Sequence, residues 1–511
     1  MLDFIAGHDA ALCALLAVQV VYALTFAADL YLFSLPVNKV DMSEEANLRR
    51  GNDADWPFII LFYPVLKEAP ETMRTTFRAL AKMEYPRHRY KVVAIPNESD
   101  EVTVQALRDL QREFAFLELL VVPPTSDPSW NVVWAAWETV RLPNGKPAAY
   151  WWHEGLRAHN RDLPPKKTRQ LIYAFYKTAC DRGIGEDFLV NYIDADSAPP
   201  KDHFLAAAIG IRRYDVLQAK NIAGNLLDSW AATFSAMDHM AWDGFKYQHL
   251  SSNGRNPFWV LGKGLFFKAS DLLALGGFHP WLTIEDPEVG MRFWKNGKRL
   301  GIIEGSLIEE VPNTFKKCVI QRKRWVAGFF QSLTAPLDTM GFTFVEKRKA
   351  WAIFLPCLSL SFNVIGLPIG VWLAWNFFSG ADQLPGWTVY IALANLWMLA
   401  TSLTCLYVNT WQRTRLVETS FWRRLRFMLR VNPLFLMLWW TFWTVPLAIG
   451  FRMWRKDLGL VWERTEKLDR NRELVPELIR RGTLGYDAKN RIIAPPPGAS
   501  IGVPGAANEA A

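Results

Sequence analysis

Residues 56–97, WPFIILFYPVLKEAPETMRTTFRALAKMEYPRHRYKVVAIPN, decide how this chain folds. The apolar run WPFIILFYPV reads as a buried strand, PETMRTTFRALAKM as a helix and YKVVAIPN as a second strand. That order is a βαβ unit, which implies a parallel sheet with ligand sites outside the carboxyl ends of its strands. Neither a GxGxxG turn nor a Walker sequence occurs at the first of those ends, which argues against the usual dinucleotide and P-loop sites. A third strand, FLVNYI, runs into DADS at 194–197. Side chains alternate along an extended chain, so Asp194 and Asp196 are expected on one side just past the strand. Two oxygen donors there suit a divalent cation gripping a diphosphate. An isolated Asp-x-Asp is usually a turn or a cap, and its place after an apolar strand in a βα series gives it more weight.

On both sides of this block the composition changes. The chain has 511 residues, half of them hydrophobic and 24 of them Trp, which exceeds one hydrophobic core. Four apolar stretches stand out, at 10–33, 351–378, 387–407 and 433–454. The first lacks basic residues ahead of it and a small-residue cleavage site after it, so it reads as a retained anchor and not a signal peptide. The second and third, joined by SGADQLPG, read as a hairpin of two spans.

The fourth contains Pro446 and has basic residues on both flanks. Arg413, Arg415, Arg423, Arg424, Arg426 and Arg430 precede it, and Arg452, Arg455, Lys456 and Arg464 follow it. Basic flanks favour the cytoplasm, and one crossing cannot keep both there. The reading is a helix or re-entrant segment at the cytoplasmic interface, with a further span as the alternative. The net charge of +8 collects near these segments, pointing to a membrane surface and not to nucleic acid. Five scattered cysteines suggest neither a zinc site nor a disulfide framework. The expected organisation is a transmembrane helix in 1–40 and a cytosolic α/β domain with a mostly parallel sheet in 50–345. A transmembrane hairpin follows in 350–410, then interfacial helices in 411–470 and a tail in 471–511 whose Pro/Gly/Ala-rich end is expected to be disordered.

Within the soluble block, TIEDPEVGMRFW at 283–294 sets Glu285 and Asp286 at the start of a helix. Peptide dipoles favour acids there, which accounts for Glu285 and Glu288. Upstream, VLGKGLFFKASDLLALGGFHPW carries Gly262, Gly264, Gly276 and Gly277 for tight turns or close backbone approach. Downstream, VIQRKRWVAGFFQS puts Gln321, Arg324 and Trp325 on one helical face, with Arg322 beside Trp325. Guanidinium groups suit phosphate oxygens and an indole suits the face of a sugar ring. Contact with lipid headgroups is the plainer reading, and it is preferred for Lys323.

Taken in order, Pro64-Val65 with Glu68, Asp194-Ala195-Asp196, Gly262-Lys263-Gly264, Gly276-Gly277-Phe278, Glu285-Asp286 and Gln321 to Trp325 resemble a known family. They are similar to the membrane-integrated, processive family 2 glycosyltransferases, the bacterial cellulose and β-glucan synthases, over about residues 55–335. The resemblance implies a GT-A-like domain on the cytoplasmic side of a multi-pass inner-membrane protein. It implies a UDP-sugar donor, UDP-glucose foremost, with Mg²⁺ or Mn²⁺ held by Asp196 and Asp194. Asp286 would be the general base of an inverting transfer. Glu68, Asn97, Asp194 and Glu285 would contact substrate, and Gln321, Arg322, Arg324 and Trp325 would floor the acceptor site. In LVWERTEKL, Trp462 and Thr465 match a loop that approaches the nucleotide. The acceptor would be a growing β-glucan-type polysaccharide exported across the bilayer. Single transfer to a lipid carrier and a catalytically silent scaffold or receptor are the alternatives, and an export partner or self-association is left open.

The sequence departs from that pattern in two places. Asn97, in AIPNESDE, stands where many members carry Asp for the nucleobase, with Asp100 shortly after. SDPSWNVVWAAWE has Asn131 and no lysine where Gly-Lys is usual, so the positive charge for the diphosphate is expected elsewhere. The stretch NGKPAAYWWHEGLRAHNRDLPPKKTRQ reads as an inserted surface subdomain packed by Trp151 and Trp152. Its His153 and His159 lack metal-ligand spacing. Gln19, Asp29, Asn363 and Asn395 are costly in apolar segments and face either a polar path or interhelical partners. For Asp29, near the boundary, the second is preferred.

Overall fold

The computed structural model describes residues 10–182, 187–252, 254–359, 363–379, 386–457, 485–486 and 492–493. The first apolar stretch forms α1 (Ala10–Ser34). The strand, helix, strand unit follows as expected. β1 (Ile59–Val65) is buried along its length, α2 (Pro70–Leu80) turns Met73, Phe77 and Leu80 inward, and β2 (Tyr90–Pro96) pairs parallel to β1. Pro70 opens α2 because the first helical position needs no N–H donor. The chain continues through α3 (Glu101–Glu113), β3 (Leu117–Leu119), α4 (Asn131–Thr139), α5 (Lys167–Arg182), β4 (Leu189–Tyr192), α6 (His203–Gly210) and β5 (Val216–Ala223). Then come α7 (Trp230–Ala241), β6 (Leu265–Lys268), α8 (Asp286–Lys295), β7 (Leu300–Glu309) and α9 (Phe315–Thr334).

The sheet order is β3-β2-β1-β4-β6-β5-β7, and only β6 runs against its neighbours. Strands step outward from β1 to β3 on one side and jump to β4 on the other. The order therefore reverses between β1 and β4, where α/β sheets bind ligands at the carboxyl ends.

The stretch read as an inserted surface subdomain is packed into the main core. Trp151 and Trp152 are buried, and Trp152 stacks on Trp134 with ring centroids 5.0 Å apart, beside Trp130 and Trp137. His153 bonds the Trp137 carbonyl at 3.0 Å, and His159 packs edge-on to both Trp152 and His153.

After α9 the chain forms α10 (Phe344–Ser359), α11 (Asn363–Ser379) and α12 (Gly386–Thr414). It ends its described helices with α13 (Phe421–Arg430), α14 (Pro433–Phe442) and α15 (Thr444–Arg455). Among the described residues, three stretches are long and apolar enough to cross a membrane, Leu16–Ser34, Trp387–Thr414 and Pro433–Arg455. Of the stretch 351–378, residues 360–362 lie outside the described residues and the rest belongs to α10 and α11, with Pro368 inside α11. The polar residues of these segments bond to partners across helices. Asn395 Nδ2 donates to Gln19 Oε1 at 2.5 Å, Tyr22 donates to Asn363 at 2.8 Å, and Asp29 accepts from Lys246 at 2.6 Å and Ser402 at 3.3 Å. Trp462, Thr465 and the Pro/Gly/Ala-rich end lie outside the described residues.

Candidate active site

The carboxyl end of β4 does not stay extended. Ser197 N–H bonds Asp194 O at 3.0 Å and closes a turn, so the two aspartates take different partners instead of sharing one direction. Asp196 Oδ2 accepts the Glu310 N–H at 3.1 Å, just past β7. Asp194 Oδ1 accepts from Lys167 Nζ at 2.8 Å, and its side chain is 41% exposed. A strand-end carboxylate that open, beside a second one, fits a hard divalent cation.

Lys167 is the residue that the sequence reading missed. It is the first residue of α5, the helix that leads into β4. Besides Asp194, its ammonium donates to Gly262 O at 2.7 Å and lies 3.2 Å from Glu285 Oε1. Burial works against its charge, but Asp194 and Glu285 outweigh that and hold its pKa above the ordinary lysine value. A positive charge absent near Asn131 is thus present in the PPKKTRQ segment, whose Lys-Lys pair ahead of β4 was the available signal.

Asp286 opens α8, with Glu285 at the preceding cap position. Burial, and then the Glu285 carboxylate beside it, push the Asp286 carboxyl up to about 8, against the pull of Lys167 and the Gly262 N–H. Gly262 packs closely against both carboxylates. A Cβ there would sit 3.2 Å from Glu285 Oε1 and 3.4 Å from Asp286 Oδ2. Glu285 is thus more than a favourable charge at a helix start, since it forms half of an ion pair with Lys167. Glu288 also exceeds that role. It is fully buried, ion-paired at 2.7 Å to Arg292 one turn on, and accepts the Tyr150 hydroxyl at 3.0 Å. Arg292 in turn donates to Gly277 O at 2.8 Å, tying α8 to the Gly276-Gly277 turn.

The other expected residues fall into two groups. Glu68, Asp196 and Asp194 all act on the buried Tyr63, whose hydroxyl donates to Ala195 O at 2.6 Å, so Glu68 belongs to the same strand-end neighbourhood. Asn97 follows β2, and its Oδ1 accepts both Arg169 Nε at 3.2 Å and Nη2 at 2.6 Å. Asp100 caps α3 and bonds the Lys67 N–H. Gln321, Arg324 and Trp325 are half-buried on α9, with the Trp325 ring 6.1 Å from the His239 ring.

Arg322, expected on the acceptor floor, lies over the Trp325 ring at 5.8 Å, but its guanidinium is taken up by other partners. It is fully buried, donates to Asp238 Oδ2 at 2.7 Å, and lies over the Trp439 and Trp443 rings at 4.7 and 4.9 Å. The same Asp238 oxygen accepts both indole N–H groups, at 2.9 and 3.0 Å. A guanidinium so engaged joins α9 to α7, α14 and the Trp443 junction. Helical spacing placed it beside Trp325 but could not show what its own side packs against.

Residues 189–454, more than half of the chain, match the family described as glycosyl transferase family group 2. The chain belongs to this family. Its α/β domain, with a mostly parallel mixed sheet, is GT-A-like. No curated protein matches the glycosyltransferase. Among solved structures it is similar to the mannosyltransferase PcManGT from Pyrobaculum calidifontis in complex with GDP-Man and Mn²⁺. The identity is 16% and the TM-score 0.47, over 86% of this chain and 99% of that one. It is also similar to S. aureus TarS 1-349, at 13% identity and a TM-score of 0.32, over 78% and 91% of the two chains. TarS 1-349 in complex with UDP-GlcNAc matches at 14% identity and a TM-score of 0.32, over 78% and 92%.

Proposed function

We propose that this glycosyltransferase inverts configuration, transferring a hexose from a UDP-sugar, UDP-glucose foremost, to a growing β-glucan-type polysaccharide. The catalytic domain faces the cytoplasm, and the product passes outward through the inner membrane. The observation that carries this reading is the meeting of Asp286, Glu285, Lys167 and Asp194 at the carboxyl ends of the sheet.

The acceptor hydroxyl attacks the anomeric carbon, a C–O bond forms there, and the bond to the diphosphate oxygen breaks. The hydroxyl proton goes to Asp286, whose carboxyl, raised to about 8, is matched to proton transfer near neutral pH. Lys167 stands where a departing diphosphate would need positive charge. Asp196 and Asp194 would hold Mg²⁺ or Mn²⁺, which supplies further neutralisation of the diphosphate. Glu68 and Asn97 line the donor side. Gln321, Arg324 and Trp325 face the acceptor. Arg322 acts as a positioning residue for α9.

A second reading, single transfer to a lipid carrier, is favoured by one observation. Gln19, Asn395, Asn363 and Asp29 are bonded to partners and do not stand free along a polar path. One experiment separates the two. Nanodisc-embedded protein is given radiolabelled UDP-glucose and other UDP-sugars with Mg²⁺ or Mn²⁺, and product is divided between polymer and organic extract. High-mass product digested by linkage-specific glucanases supports the synthase, and single sugars in the organic phase support the lipid carrier. No transfer from any UDP-sugar, by a protein that loses nothing further on Asp286→Asn, overturns both.

A further inference from the structure

We infer that His239, Asp243 and Glu309 form a second cation site, separate from Asp194 and Asp196, that takes a transition-metal ion such as Zn²⁺ or Mn²⁺. His239 lies near the end of α7. Asp243 lies one turn on, in a π-helical turn (Trp242–Lys246), so the two share a face, and Glu309 closes β7. All three are buried, and their ligand atoms lie within 4.8 Å of one another.

The ligand atoms of the three side chains converge on one point, with Nδ1 of His239 placed between the two carboxylates. His239 Nδ1 is 3.3 Å from Asp243 Oδ2 and 3.5 Å from Glu309 Oε1. Nδ1 is thus engaged with both carboxylates, while Nε2 lacks a hydrogen-bond partner although the residue is only 5% exposed. Around a tetrahedral ion with bonds of about 2.0–2.1 Å, neighbouring ligand atoms stand about 3.3–3.4 Å apart. Three protein ligands leave one position open.

The donor set also selects the ion. One imidazole with two carboxylates suits Zn²⁺ or Mn²⁺, whereas Mg²⁺ prefers oxygen and retains its water. π turns concentrate at functional sites. The Lys263 ammonium bonds Glu309 Oε1, so a metal has to compete with it. The consequence reaches the strand end, because Glu310, the next residue, holds Asp196 Oδ2 through its N–H. An ion on Glu309 would stiffen the frame that positions Asp196.

The test is calorimetric titration of Zn²⁺ and of Mn²⁺ into the EDTA-stripped full chain in nanodiscs, without nucleotide and in excess Mg²⁺. One site per chain is expected. It should persist when Asp194→Asn and Asp196→Asn are combined, and weaken at least tenfold in His239→Gln and in Asp243→Asn. Lys263→Met should bind at least tenfold more tightly, a gain that misfolding cannot imitate. The inference is overturned if stripped protein takes up neither ion. It also falls if uptake disappears with the two aspartates and survives His239→Gln, or if Lys263→Met does not tighten it.

Discussion

Asp286 and Lys167 show how differently two residues of one site can be read. The first was legible in the sequence, because an acid pair before a proline and a helix, in order with Asp194 and the Gln321 to Trp325 run, matches one family pattern. Lys167 was not legible, because nothing about its spacing tells which of two adjacent lysines meets a carboxylate 27 positions on. Asp286→Asn should lower kcat by about 10²–10⁴-fold and leave donor binding intact, measured by turnover and nucleotide titration. As a base, Asp286 works only when deprotonated, so activity should rise with pH toward about 8. Glu285 is the second cause of that elevation, after burial. The rising limb of kcat/KM should therefore move to lower pH in Glu285→Gln, and an unmoved limb would remove Asp286 from the role. Lys167→Met should raise the donor KM by at least tenfold, because Asp194 and Glu285 are left facing the diphosphate without their shared cation.

Among the elements, α9 organises the site from behind. A methyl at Gly328 would overlap the Ile284 side chain, one residue before Glu285, and one at Gly450 on α15 would press on Lys323 O and Val326. These two glycines let α9 close against the α8 entry on one side and α15 on the other. Gly328→Ala should reduce kcat without touching a polar group, and a wild-type kcat in that variant would show that the α8 entry can yield. Arg322→Ala leaves the partly buried Asp238 with its two indole donors but without its cation, which destabilises the fold. A lower unfolding temperature in detergent is the expected outcome, and Asp238→Asn added to it should cost less than the sum of the two. Periodicity showed that α9 has a basic, Trp-bearing face. It could not show that Arg322 turns into an indole pocket supplied by a segment more than a hundred residues away.

Across the whole molecule, one clamp joins the first apolar helix to the catalytic domain. Asp29 of α1 meets Lys246, which ends the same π turn that carries Asp243. Lys246→Met leaves a carboxylate unpaired at the edge of an apolar segment and should lower the unfolding temperature, while Asp29→Asn in the same chain should restore part of it. Equal temperatures for the single and double variants would show that the pair contributes nothing. Strand and helix order, the lengths of the apolar segments and the family signature were determined by the sequence itself, because each depends on local periodicity or on motif order. Only the tertiary structure decided that Lys167 joins Asp194 and Glu285, that Arg322 is sealed under Trp439 and Trp443, and that polar residues in the apolar helices bond to partners. Those contacts bring together side chains from distant segments, and their geometry follows from how sheet and helices pack.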